Sequence, residues 1–312
     1  MIIKAEKYSA EELMKVDAAN VTVVSIETSI EKEKAAIVKD LLQINEEVRV
    51  VLIVDPEESE TTGRYSNLAI VEAIGELKHL AVLAFGSIPL KEIKLLSCLK
   101  NLVSFRLTGN YKKDIDLNPL ANATEIEELE LEYGIAGAGQ VTFVNNLPLK
   151  SLKVSVLDLK RALLNPRLEQ LTITNTLKNP ELLAEALPAL TSFTLNHAKG
   201  INSFKFLAPL KGLQSLQIAH TSKFTSIPKM DTPAELKSLS LVNTKQFDDL
   251  KSILQFEQLE ELKITEPMQV PLAEFSKLAD LKSLKKVYAV FKTDMEDDNF
   301  GQMAQKNGWL PI

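Results

Sequence analysis

The chain has 312 residues, of which 45% are hydrophobic and 25% charged, with a formal net charge of −6. These proportions are typical of a folded globular protein and exclude a disordered or collagen-like chain. The acidic balance disfavours a protein that binds phosphate backbones or anionic lipid, and no apolar run reaches the roughly 18–20 residues of a membrane helix.

The N-terminal region is the most acidic part of the chain and is poor in leucine. Residues 1–60 contain 14 acidic and 7 basic side chains. A capping box over Ser9–Glu12 predicts a short helix, and apolar spacing predicts helices within Ile30–Ile44 and Leu68–Leu77. The β-branched frames Val21-x-x-Val24-x-Ile26 and Val48-x-x-Val51-x-Ile53 predict strands. The region is therefore expected to form two long, helix-backed repeats or an α/β cap.

A repeat follows and accounts for the leucines, of which 45 of 49 lie after residue 67. The pattern apolar-x-x-apolar-x-apolar occurs ten times, with intervals of 22, 24, 23, 19, 22, 23, 23, 23 and 25 residues. Its middle apolar residues are Leu83, Phe105, Leu129, Leu152, Leu171, Phe193, Leu216, Leu239, Leu262 and Val287. Alternation over the last three positions predicts a strand with one apolar face, which only stacked neighbours can bury.

This pattern resembles the leucine-rich repeat family, in the short form of about 22–23 residues that internalin-type and other bacterial proteins use. The resemblance implies an α/β solenoid, a superhelix with a parallel concave β-sheet, built from about ten short repeats after the two longer repeats or cap. We expect one continuous structural domain. Its parts would be an N-terminal cap with longer repeats (1–79), leucine-rich repeats (80–291) and a C-terminal helical cap (292–312).

Two further features concern how the repeats stack and how the C-terminal end of their core is covered. The asparagine that the family places after the strand occurs once, as Asn110, and Thr176, Thr221 and Thr244 are candidates to replace it in part elsewhere. Near the C-terminus, a helix is expected from Asp294 to a stop at Gly308. The single tryptophan, Trp309, is expected to close the exposed end of the core, with a ligand platform as the alternative.

The sequence contains no set of residues that fits a catalytic, cofactor-binding or metal-binding role. The glycines of Gly134–Gly139 fit neither nucleotide-binding fingerprint, and we expect a flexible connection without a helix start there. No His/Cys/carboxylate group has metal-ligand spacing. Cys98, the only cysteine, is expected to be a buried small hydrophobe. A chain without catalytic residues or a cofactor is therefore expected not to be an enzyme.

Residues between the strand leucines must project from the sheet, and they form a charged zone followed by a zone of hydroxyl and amide side chains. A third, more apolar zone around Tyr288 would be either an anchor site or part of the core beneath the C-terminal cap. The expected partner-binding residues are Arg106, Glu128, Glu130, Glu132, Lys153, Thr172, Thr194, Asn196, His197, Gln217 and His220. Arg106 and Lys153 would neutralise the glutamates, and both zones could instead be an ordinary solvated sheet surface.

The expected function is that of a non-catalytic protein–protein interaction module that binds a protein partner through the concave sheet or its rim. We expect a monomer that binds neither nucleic acid nor membrane. A single cysteine and the absence of a basic and apolar leader favour a cytoplasmic protein, such as a bacterial regulator or immunity-type protein. The alternatives are an exported recognition protein resembling internalins whose signal was removed, and the substrate-recognition arm of an enzyme.

Overall fold

A computed structural model describes residues 1–55, 66–161, 166–265 and 270–312. The acidic, turn-rich stretch Asp55–Ser66, which the sequence predicts to be a solvated loop with a binding loop as the alternative, lies almost wholly outside them. The chain divides into two compact units, Met1–Val154 and Ser155–Ile312. The division into N-terminal cap, repeats and C-terminal cap stays a prediction.

The first unit is built on parallel strands that pair with their neighbours in chain order. Its strands are β1 (Ile2–Lys4), β2 (Val23–Ile26), β3 (Arg49–Val54), β4 (His79–Ala84), β5 (Ser104–Gly109), β6 (Glu128–Leu131) and the start of β7 (Ser151–Asp158). Its α-helices are α1 (Ala10–Met14), α2 (Lys32–Ile44), α3 (Ser66–Ile74) and α4 (Ala138–Asn145). Its 3₁₀ helices are Ala5–Lys7, Ala18–Asn20, Lys94–Cys98 and Asn118–Leu120.

The second unit repeats the same parallel arrangement with shorter connections. Its strands are β8 (Gln170–Lys178), β9 (Ser192–Asn196), β10 (Ser215–Ala219), β11 (Ser238–Val242), β12 (Glu261–Thr265) and β13 (Lys286–Ala289). Its α-helices are α5 (Leu183–Ala186) and α6 (Asp294–Lys306). Its 3₁₀ helices are Pro180–Leu182, Lys205–Leu207, Pro233–Glu235, Leu250–Gln255 and Leu272–Asp280.

The repeat leucines occupy equivalent positions in successive strands, as the sequence predicts. Leu216 pairs with Phe193 on one side and with Leu239 on the other, and Leu239 pairs in turn with Leu262. All four side chains are buried. Because each strand adds one leucine to the same column, the aliphatic core of the unit is continuous from coil to coil. The leucine-rich repeat fold predicted from the sequence is confirmed.

The predicted frames of β3 and β4 are wrong, and the error reverses the faces of both strands. Leu80, rather than Leu83, pairs with Phe105, and it pairs with Val50 on its other side. Leu80 and Val50 are buried, whereas Phe85 is 65% exposed. The frame Leu77-x-x-Leu80-x-Val82 fits the repeat as well as the predicted one. A slip by an odd number of residues moves a whole side-chain set to the other face.

Local capping signals at the N-terminal end were predicted correctly. The Ser9 side chain accepts a hydrogen bond from the Glu12 backbone N–H at 3.2 Å, and the Glu12 carboxylate accepts one from the Ser9 N–H at 2.8 Å. These two bonds satisfy N–H groups that the first turn of a helix leaves free. Helix α2 forms within the predicted range, but Ile44 at its end is exposed rather than buried.

The C-terminal helix ends the second unit in the expected way. Thr293 caps α6, Gly308 has a φ of 72° after its last turn, and Trp309 is buried. The Trp309 ring lies 6.5 Å from that of Phe300, centre to centre. The backbone of Leu310 also pairs with the outer edge of β13, donating a hydrogen bond to the Lys285 carbonyl at 2.8 Å. Trp309 therefore packs against the C-terminal end of the core, as expected for a residue that covers it.

Two smaller sequence predictions, for the segment Gly134–Gly139 and for Cys98, are wrong. Helix α4 begins directly after Gly137, where no helix start was expected, and the Gln140 side-chain oxygen accepts hydrogen bonds from the N–H groups of Ala136 and Gly137 at 2.9 and 3.0 Å. These N–H groups are therefore occupied by the protein itself. Cys98 is an exposed free cysteine rather than a buried one, because it ends a 3₁₀ helix on the surface.

Candidate functional site

Strand pairing in the first unit arranges the outward side chains of the sheet in rows. Ala81 pairs with Arg106, Arg106 with Glu130, and Glu130 with Lys153. These residues alternate with the buried apolar ones, so their side chains share the face of the sheet that points away from the helices and the core. We call this face of the first unit the outward face. Charges in adjacent strands of one row stand within contact distance.

Glu130 is the centre of an ionic cluster on the outward face. Its two carboxylate oxygens are each paired with one cation, the Arg106 Nε at 2.5 Å and the Lys153 Nζ at 2.8 Å. The Glu130 side chain is 15% exposed, whereas those of Arg106 and Lys153 are 43% and 50% exposed. The expected neutralisation is confirmed for Glu130. One carboxylate thus ties three strands together through their side chains.

The other two glutamates of β6 have no such partners. Glu128 and Glu132 are exposed, and neither makes an ion pair within the part of the chain that the structure describes. Arg106 and Lys153, which lie in the neighbouring row, are already bound to Glu130. The outward face therefore carries two carboxylates whose charge is available to an external group.

Beside this charged area lies an apolar strip that the sequence analysis missed. In β3 and β4 the outward positions hold Val51 and Ile53, paired with Ala81 and Leu83, and the alternation continues to Phe85. The inward residues of β3 are buried, which fixes the faces. The repeat frames predicted from the sequence place Val51, Ile53, Leu83 and Phe85 at inward positions, because those frames lie one residue too late in β3 and three too late in β4. The better signal was the 25-residue step from Leu80 to Phe105.

In the second unit, small polar side chains occupy the corresponding rows. Thr172 pairs with Thr194, Thr194 with Gln217, and Gln217 with Ser240. All four are partly exposed. The predicted hydroxyl and amide zone therefore exists as a continuous row across β8 to β11, and hydrogen-bonding groups of this kind can pair with the backbone of an extended chain.

At the end of β9, β10 and β11, the strands turn through a residue with left-handed backbone conformation. His197, His220 and Asn243 have φ values of 62°, 52° and 50°. Asparagine and histidine are among the residues that tolerate this region best. The two histidine rings stack with centres 5.0 Å apart, and the Asn243 amide nitrogen lies 3.0 Å from the His220 Nδ1.

Buried polar atoms beside these turns have no hydrogen-bond partner among the described residues. They are Asn196 Oδ1, Thr221 Oγ1, Thr244 Oγ1 and Thr265 Oγ1. Asn110 in the first unit does bond to the neighbouring coil, donating to the Gly86 carbonyl at 3.0 Å. Thr221 and Thr244 therefore do not replace the asparagine as hydrogen-bond donors between the coils that the structure describes.

The apolar zone at the C-terminal end is divided between surface and core. Tyr288 is 39% exposed, with the Lys263 Nζ 5.9 Å from the centre of its ring. Phe291 is buried against Phe275 and Phe300. Only Phe291 therefore belongs to the core beneath the C-terminal helix.

No group of three or more His, Cys, Asp or Glu side chains within the described ranges could hold a metal ion. None of the described helices is long and apolar enough to cross a membrane.

The parallel strands in chain order, the repeat period of 22–25 residues over most of the chain and the shared leucine column define a leucine-rich repeat fold. Neither a family model nor a curated relative matches the chain.

Solved structures that resemble the chain are themselves leucine-rich repeat proteins, at low sequence identity. The TLR13–ssRNA13 complex is 17% identical with a TM-score of 0.44, covering 92% of this chain and 42% of the TLR13 chain. A leucine-rich repeat protein of Leptospira interrogans is 13% identical, TM-score 0.38, with 98% of both chains covered. Internalin C2 of Listeria monocytogenes is 20% identical, TM-score 0.28, covering 75% and 84%. The chain thus spans less than half of the TLR13 chain.

Proposed function

We propose that this chain is a non-catalytic module that binds a protein partner through outward side chains of its sheets. The observation that carries the proposal is the outward face of β5 to β7, where Glu128 and Glu132 are exposed beside a neutralised Glu130 and have no ion-pair partner among the described residues. Strands hold these side chains at fixed spacing, which lowers the conformational entropy lost when a partner binds. A rigid row of exposed charges is suited to selecting a partner of opposite charge.

The residues proposed for partner binding form two sets, one in each unit. In the first unit they are Arg106, Glu128, Glu130, Glu132 and Lys153. In the second unit they are Thr172, Thr194, Asn196, His197, Gln217 and His220. The second set offers hydrogen-bonding groups and two imidazole rings rather than net charge.

We propose a protein as the partner, with the chain itself monomeric. The formal net charge of −6 works against nucleic acid and anionic membranes, because affinity for phosphate backbones depends on neutralising lysine and arginine side chains. A cytoplasmic bacterial regulator or immunity-type protein that masks its partner is the specific form of the proposal. The exposed free thiol of Cys98 supports a reducing compartment.

Quantitative affinity capture from the organism of origin tests the proposal. The tagged chain would be compared with two variants of the face, Glu128→Lys/Glu132→Lys and Thr172→Lys/Thr194→Lys. Matched controls place the same changes elsewhere on the surface, at the exposed residues Glu72 and Glu76 (both Glu→Lys) and at Thr225 (Thr→Lys). We expect one specific partner to be retained by the wild type and the controls and lost by at least one face variant.

The proposal is wrong if every specific partner is retained by both face variants, or if the purified chain turns over a substrate. Cell fractionation in the same strain tests the location. Recovery of the chain outside the cytoplasm would favour an exported recognition protein instead.

A further inference from the structure

The outward side chains of β3 and β4 form an apolar strip, made of Val51, Ile53, Ala81, Leu83 and Phe85. Pairing of Val51 with Ala81 and of Ile53 with Leu83 places four of them in two adjacent rows. Phe85 extends the strip by one step, and its backbone N–H donates to the Val54 carbonyl at 2.8 Å, so the strand geometry continues to this residue.

The strip is unlike the rest of the outward face in the first unit. In β5 and β6 the same two rows hold Arg106, Thr108, Glu130 and Glu132. A single exposed apolar residue is normal on a protein surface. Here three partly exposed apolar side chains, Val51, Ile53 and Leu83, adjoin the buried Ala81 and a phenylalanine that is 65% exposed. Such a patch with a polar border is typical of an interaction site.

The charge at the border of the strip indicates the chemistry of what covers it. Glu132 lies in the row of Leu83, two strands away, and so roughly 10 Å from it, at about 4.8 Å per strand. Glu128 lies two strands from β4 in another row. Neither carboxylate makes an ion pair with a described residue, and Arg106 and Lys153 are bound to Glu130 instead.

We infer that this strip is an anchor site for an aromatic or branched aliphatic side chain of a partner protein segment, with a Lys or Arg about three residues away that pairs with Glu132 or Glu128. The spacing follows because an extended segment that crosses the strands covers roughly 10 Å in three residues. A second copy of this chain fits less well, because it would bring a second border of unpaired carboxylates to the site.

The inference rests on the proposed function and specifies the partner's chemistry. Phe85 supplies the main aromatic contact for the partner's side chain. Glu128 and Glu132 select a partner segment that carries a positive charge. Aromatic anchors in desolvated contacts carry a large share of interface affinity, whereas border charges contribute mainly to selectivity and association rate. The two parts can therefore be separated experimentally.

Selection of a random 12-residue peptide library displayed on phage, against the full chain and against Phe85→Ser, provides the first test. Phe85 is mostly exposed, so the substitution should leave the fold intact, and Tyr288→Ser is the matched control at the exposed aromatic of the second unit. We expect the wild type and Tyr288→Ser to enrich peptides with an aromatic or branched aliphatic residue and a Lys or Arg two to four positions away. Enrichment of the same peptides by Phe85→Ser, or of no such class by the wild type, would overturn the inference.

Fluorescence anisotropy with the enriched peptides then separates anchor from charge. We expect Phe85→Ser to weaken binding at least tenfold, and Glu128→Gln/Glu132→Gln to weaken it at least threefold while flattening its salt dependence. Tyr288→Ser should change it less than twofold. Equal binding to wild type and Phe85→Ser contradicts the inference, as does a concentration-dependent dimer of the wild type that Phe85→Ser abolishes in sedimentation, since the occupant would then be a second copy.

Capture with Phe85→Ser distinguishes failure of this inference from failure of the proposed function. A partner lost with the glutamate or threonine variants but retained by Phe85→Ser refutes the anchor and leaves the proposed function standing. A partner that is retained by every variant with an outward substitution refutes both the anchor site and the proposed function.

Discussion

Leu80 pairs with Phe105 in the parallel ladder, and this single pairing decides which face every residue of β4 presents. With Leu80 inward, Leu83 and Phe85 fall on the outward face. The consequence extends to β3, because its Val50 pairs with Leu80. The register at this point therefore determines whether the first unit has a polar outward face or one with an apolar anchor.

The register predicts very unequal losses of stability for two apolar substitutions in this region. Leu80→Ala removes a buried side chain and should lower the free energy of unfolding by about 2–5 kcal/mol. Phe85→Ser removes an exposed ring and should change it by less than about 0.5 kcal/mol. Urea denaturation followed by circular dichroism measures both. A larger loss for Phe85→Ser than for Leu80→Ala would support the register that the repeat pattern alone suggested.

The ionic cluster of Glu130 predicts a measurable coupling between strands. Glu130→Gln removes the partner of both Arg106 and Lys153, and we expect it to lower the free energy of unfolding by about 1 kcal/mol at low salt, and by less at high salt. Glu132→Gln, on the same strand without an ion pair, is the control and should have almost no effect. A double-mutant cycle with Lys153→Met should give a coupling of about 0.2–1 kcal/mol, and a coupling of zero would show that the pair does not stabilise the sheet.

The sequence predicted the fold well where leucines repeat at constant spacing and less well where they do not. In the strand pairs β5–β6, β8–β9 and β10–β11, the predicted middle apolar residues pair with each other at inward positions. This follows because a leucine placed outward would lose its burial. In β3 and β4 nearly every position is apolar, so both faces look like a core face and the pattern cannot choose between them. The apolar strip was missed for that reason, since its members carry the same signal as buried residues.

The charged part of the candidate site was predictable because alternation alone separates Glu128, Glu130 and Glu132 from the buried Leu129 and Leu131. Which of the three glutamates is neutralised was not predictable. That depends on the pairing of Glu130, rather than its neighbours, with Arg106 and Lys153 across the strands.

The left-handed turns of the second unit predict a ranking of substitutions at His220. Its φ of 52° is costly for β-branched residues, so His220→Val should lower the free energy of unfolding by about 1–3 kcal/mol. His220→Asn should be close to neutral, because asparagine accepts this conformation and Asn243 already occupies the equivalent turn. Thermal unfolding of the two variants gives the ranking. Equal stability of both would mean that the turn relaxes out of the left-handed region.

The unpaired hydroxyls of Thr221 and Thr244 predict that threonine is not the most stable residue at these positions. Both side chains are buried, and neither Oγ1 has a hydrogen-bond partner among the described residues. Valine has nearly the same shape without the polar atom, so Thr244→Val should raise the free energy of unfolding by roughly 1 kcal/mol. Thr225→Val, at an exposed threonine, is the control. A decrease with Thr244→Val would show that the hydroxyl is satisfied in solution.

The raised pKa of the buried Tyr111 predicts a loss of stability in alkaline solution. Burial, partly offset by the hydrogen bond that its hydroxyl oxygen accepts from the Tyr133 N–H, raises the pKa of Tyr111 from 10 to about 12. The folded state therefore retains the phenolic proton where the unfolded state has released it, and stability falls as the pH rises from about 10 to about 12. The expected loss is on the order of 2 kcal/mol. Tyr111→Phe cannot ionise at this position, so the difference in unfolding free energy between wild type and Tyr111→Phe should shrink across this interval. A difference that stays constant would place the Tyr111 hydroxyl in contact with solvent.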